Sequence, residues 1–94
     1  MAEIVKKTIS IKDIDPFLLL GYNDAHLKMI EERFSSKIVA RGDTISIEGE
    51  EDEVGKIENI FSELIFLLHR NKHLDKDDVL TVLNLTQSQP RAEG

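Results

Sequence analysis

The chain has 94 residues, no cysteine and a formal net charge of −6, which is one domain's worth of chain, able to bury roughly 60–68% of its unfolded surface in a modest core. A hydrophobic content of 40% beside 32% charged residues excludes a disordered polymer, and the lack of cysteine excludes a disulfide framework or a thiolate metal site. No apolar run approaches the roughly 20 residues of a membrane helix, and "MAEIVKKTIS" has no signal-like apolar core, so a cytoplasmic protein is expected.

"IVKKTISI" (Ile4 to Ile11) reads as a strand: Val5, Ile9 and Ile11 share one parity, Lys6, Thr8 and Ser10 the other, and Lys7 breaks the pattern. Asp15-Pro16 is a helix start, with Asp as cap and Pro at the first helical position. "PFLLL" then makes a short apolar helix that Gly21 stops. Asn23 or Asp24 is expected to cap a second helix, "AHLKMIEERF", whose Leu27, Ile30 and Phe34 share a face, with Lys28 in reach of Glu31 and Glu32. "KIVA" and "TISIE" alternate as strands around a Gly42-Asp43 hairpin loop. Val54, Ile57, Ile60, Phe61, Leu64, Ile65 and Leu68 form the apolar stripe of a long helix. Glu50 to Glu53 crowd its first turn and His69-Arg70 its last, as the helix dipole favours. Phe66 lies roughly 160° from the middle of that stripe and is expected to be exposed. "DKDDVLTVL" restarts a short helix capped by Asp75, with Val79, Leu80 and Leu83 as its apolar side. Residues 84–94, "NLTQSQPRAEG", read as a tail or linker. Strand, helix, helix, strand, strand, helix, plus one extra helix, implies a two-layer α+β domain with one open sheet face.

The net acidity argues against a strongly basic nucleic-acid binder, but the charge is uneven. Gly21 to Gly42 carries Lys28, Arg33, Lys37 and Arg41 against Asp24, Glu31 and Glu32, whereas Asp43 to Glu58 holds seven acidic residues and only Lys56. Catalysis has little to stand on: there is no cysteine nucleophile, no serine elbow and no carboxylate pair set apart from the acidic surface. "GEEDEVGKI" mimics a phosphate-binding loop, yet its glycines are one residue too far apart, Ile57 replaces the magnesium-binding hydroxyl and its carboxylates repel phosphate. Arg41-Gly42-Asp43 is explained as a turn. His69 and His73 are four apart, but the helix is expected to end near Arg70 and no third ligand is placed. "GYND" stays open on residues alone. A glycine before a helix lets a phosphate approach the free amides, Tyr22 offers a stacking face, and the alternative is a plain helix–helix turn.

From Gly21 to Leu68 the chain resembles a KH domain, which has a Gly-x-x-Gly loop between two helices, then a strand pair, a glycine and a long helix. Gly21 matches the first glycine, and Asp24 stands where the second belongs. The combined run "LLGYNDAHLKMIEERFSSKIVARGDTISIEGEEDEVGKIENIFSELI", followed by "LDKDDV", is similar to the N-terminal region of phosphate-starvation-inducible PhoH-like proteins, over roughly residues 4–83. The resemblance implies a KH-like β-α-α-β-β-α fold over residues 1–83: a three-stranded antiparallel sheet, helices on one face, and one short C-terminal helix. It also implies a parent P-loop ATPase linked to RNA metabolism. ATP and magnesium would belong to that absent domain, with 84–94 leading toward it. For this chain it implies no enzyme activity, cofactor or metal, but weak single-stranded RNA binding. The candidate contacts are Gly21 (backbone approach), Tyr22 (stacking), Asn23 (cap and polar contact), and Lys28, Lys37 and Arg41 (phosphates). The alternative is a protein-interaction module, with Phe66 docking on its own ATPase domain or on another copy of itself.

Overall fold

The computed structural model describes residues 3–88. In chain order these form β1 (Ile4–Ser10), α1 (Pro16–Leu20), a 3₁₀ turn (Tyr22–Asp24), α2 (Ala25–Arg33), β2 (Lys37–Arg41), β3 (Thr44–Glu50), α3 (Glu51–Asn71) and α4 (Lys76–Ser88). The three strands make one antiparallel sheet in the order β1-β3-β2. The expected KH-like α+β arrangement is the observed one. No helix among the described residues is long and apolar enough to cross a membrane.

The register follows from the alternating pattern. Ile45 and Ile47 of β3 are fully buried, and beside them on the same face lie Ile9 of β1 and Ile38 and Ala40 of β2. A slip of one residue would turn these onto the solvent side, so burial holds the pairing. Lys7 takes an inward position opposite Ile47 yet stays exposed, because β1 is an edge strand. Helix α3 lies over β3 and β1 and supplies Val54, Ile57, Ile60, Phe61 and Leu64, all fully buried. Its dipole is matched by Glu51, Asp52 and Glu53 in the first turn and by His69 and Arg70 in the last. The β3–α3 junction is tight: a Cβ on Gly49 would lie 2.2 Å from the Ser36 hydroxyl oxygen, and that hydroxyl donates to Glu53, which also accepts from the Ser35 amide. One of the four acidic residues after Gly49 is therefore a structural acceptor.

Four expectations need correction. Neither Asn23 nor Asp24 caps α2 with its side chain; both residues have positive φ, 55° and 60°, which points them away from the usual extended cap geometry. Lys28 makes no ion pair with Glu31 or Glu32 within 4.0 Å among the described residues, since long exposed side chains gain little by holding one geometry. In α4 Leu80 stays 39% exposed, and Val82 takes the buried place beside Val79 and Leu83, because α4 packs on both α2 and α3 and buries the 79–82–83 ridge. That helix also continues to Ser88 instead of stopping at Leu83, and Asn84 accepts a hydrogen bond from the Arg33 guanidinium of α2 at 3.4 Å. The rest of the expected tail, 89–94, lies outside the described residues.

Candidate nucleic-acid interface

The turn that opens α2 is built around a histidine. Asp15 caps α1 by accepting from the Phe17 amide at 3.0 Å, with Pro16 at the first helical position. The chain then breaks at Gly21, with φ 86° and ψ 166°, a region essentially restricted to glycine. A Cβ there would lie 2.9 Å from the ring of His26. That ring is only 6% exposed, and its Nδ1 lies 3.0 Å from the Leu19 carbonyl oxygen; the carbonyl can only accept, so Nδ1 carries the proton. The Gly21 amide donates to the Phe17 carbonyl and the Asp24 amide to the Gly21 carbonyl. The left-handed conformation at Asp24 is one that glycine adopts freely and Asp tolerates better than most residues. Tyr22 is 72% exposed and meets the ring of Phe17, itself 58% exposed, edge-on at 6.0 Å. Asn23 and Lys28 are exposed. Nothing about one histidine on a helix reveals in sequence that it will fill the space a glycine leaves.

The second candidate region is the open face of the sheet. Alternation puts Ile4, Lys6, Thr8 and Ser10 of β1, Thr44, Ser46, Glu48 and Glu50 of β3, and Lys37, Val39 and Arg41 of β2 on the side away from the helices. Register aligns Lys6 and Lys37 on either side of Glu48, Thr8 and Val39 beside Ser46, and Ser10 and Arg41 beside Thr44. Lys6, Lys37, Val39, Arg41, Ser46 and Glu48 line a concavity of about 270 Å³. Two strand spacings separate Lys6 from Lys37 at about 9–10 Å, and four residues of β2 separate Lys37 from Arg41 by about 13 Å. Among the described residues no ion pair within 4.0 Å involves any of the three cations or Glu48. Within the concavity three cations face one carboxylate, and with Glu50 counted the whole face carries three cations against two carboxylates, a small positive excess on a chain of net charge −6.

The structure thus gathers Lys37 and Arg41 from the expected set and adds Lys6, from the far edge strand. Gly21, Tyr22, Asn23 and Lys28 lie together instead in the helical layer. Phe66, on the solvent side of α3, is 58% exposed. A smaller concavity of about 170 Å³ lies between α1 and the end of α3, lined in part by Leu18, Leu68 and His69. His73 does not join His69. Its Nε2 lies 3.8 Å from Asp75, and with Asp75 and Asp78 it presents ligand atoms within 4.8 Å of one another. Asp78 in that group accepts from the Asp75 amide at 3.1 Å, the reach-back contact of a helix start. No protein-family model, curated protein or solved structure matches this chain.

Proposed function

We propose that the chain is an accessory module that binds single-stranded RNA through the open face of its sheet, weakly and without strong sequence preference. One observation carries this: Lys6, Lys37 and Arg41 converge on a concave face of an otherwise acidic domain and make no ion pair among the described residues. Cations in a groove that tracks the backbone are what sequence-tolerant single-strand binding requires. The face has hydroxyls from Thr8 and Ser46 to bond phosphate oxygens, and no aromatic side chain to stack a base, so phosphate and sugar contacts dominate. The motif order similar to PhoH-like N-terminal regions supports the same reading, with a cytoplasmic P-loop ATPase as the domain served. ATP and magnesium would act there, and this chain would present RNA.

Fluorescence-anisotropy titration of labelled single-stranded RNA tests the assignment. Three phosphate contacts predict a slope of about −2 in log affinity against log salt. Lys37→Ala with Arg41→Ala should remove most of that slope, and Lys28→Ala should leave it unchanged. A slope abolished by Lys28→Ala alone, or no binding at low salt, would overturn the assignment. A second reading rests on the exposure of Phe66: docking on the ATPase domain or on another copy of the chain, since an exposed aromatic is the usual anchor of a protein interface.

A further inference from the structure

Glu48 is the carboxylate that lines the concavity, and Glu50, two residues on, is the other carboxylate on the same face of β3. Glu48 sits on the central strand, directly in register with Lys6 on one side and Lys37 on the other. It is exposed and makes no ion pair within 4.0 Å with either lysine among the described residues. A strand whose phosphates reach Lys6, Lys37 and Arg41 must pass over it. A carboxylate is an acceptor only, and so are phosphate oxygens. Bringing the two together strips water from Glu48 with nothing in return, unless the ligand supplies a donor. The backbone of DNA has no donor. The backbone of RNA has one per nucleotide, the ribose 2′-hydroxyl, next to each phosphate.

We infer that Glu48 accepts a hydrogen bond from the ribose 2′-hydroxyl and makes this face prefer RNA to DNA; the inference rests on the nucleic-acid reading of the face. The lysines supply attraction common to both polymers, and Glu48 penalises the one that cannot donate to it. Base donors do not alter the argument when the same base is carried by both sugars.

The test is competition between oligouridine and oligo-deoxyuridine of equal length, which differ only at the 2′ position. The wild-type chain should prefer the RNA by about fivefold, the worth of one net hydrogen bond. Glu48→Ala should tighten DNA binding several-fold, leave RNA binding nearly unchanged and so erase the preference. Glu48→Gln, which keeps the acceptor oxygen and loses the charge, should tighten both and retain part of the preference. Equal tightening of both polymers by Glu48→Ala, with the preference intact, would make Glu48 a mere counter-charge and overturn the inference. A wild-type chain that binds both polymers equally would overturn it too. A wild-type chain that binds neither would instead overturn the reading of the sheet face itself.

Discussion

The turn at Gly21 and the open sheet face are both places where the chain is set up to meet a phosphate, and they differ in what already occupies them. At the turn, the space beside the glycine is filled by His26, and the amides of Gly21 and Asp24 donate to Phe17 and Gly21. Asp24 adds a negative charge there. On the sheet, three cations make no ion pair among the described residues and line a concavity. A glycine before a helix reports only that backbone or a neighbour approaches closely. Here the neighbour is internal, whereas on the sheet the cations outnumber the carboxylates of the same face and make no ion pair with them among the described residues.

Breaking the turn should cost the most stability and the least binding. Gly21→Ala must place a side chain in a glycine-only backbone region and against the His26 ring, at a cost of about 2–4 kcal/mol in denaturant unfolding. In a His26→Ala background the steric part disappears, so the same change should cost about 1 kcal/mol less, a coupling that a double-mutant cycle reads directly. The sheet should behave in the opposite way. Replacing Lys6, Lys37 and Arg41 together by Ala should weaken RNA binding at least about tenfold at low salt, some 1.4 kcal/mol. Thermal unfolding should move little, because exposed substitutions of this kind fall within about 0.5 kcal/mol each. Asp24→Gly relieves a left-handed aspartate and should stabilise by about 0.5–1 kcal/mol. It sharpens the comparison further, because a large gain in RNA affinity from it would return the site to the turn. The smallest effect is expected at Phe66: Phe66→Ser should leave both unfolding and RNA titrations within error. A drop in apparent mass by sedimentation on making that change would instead show that α3 holds two copies together.

Much of the fold was legible along the chain. The Asp15-Pro16 start, the Gly42-Asp43 hairpin and the α3 stripe are local, and each is where periodicity and turn chemistry put it. Misreadings arose where a distant element intervened. Leu80 and Val82 are both apolar and one helical turn holds both; only the position of α2 beside α3 decides which is buried. The end of α4 was obscured by polar residues after Leu83, and Arg33 bonding Asn84 is a contact between segments 51 positions apart. The candidate site was half legible. Lys37 and Arg41 share a parity within one strand, which the sequence displays. Lys6 joins them only through β3.

By itself the sequence determined the secondary structure, the inward rows of the strands and the exposed position of Phe66, because 2-residue and 3.6-residue periods act over a few neighbours. It also determined the acidic net charge and the uneven placement of that charge. Only the tertiary structure decided that His26 explains Gly21, that Ser36 and Glu53 enclose Gly49, and that Lys6 and Lys37 flank Glu48 with Arg41 farther along the same face. The reason is the order β1-β3-β2: inserting the last strand between the first two brings together residues about 30 to 40 positions apart, and burial of Ile45 and Ile47 holds the register that aligns them.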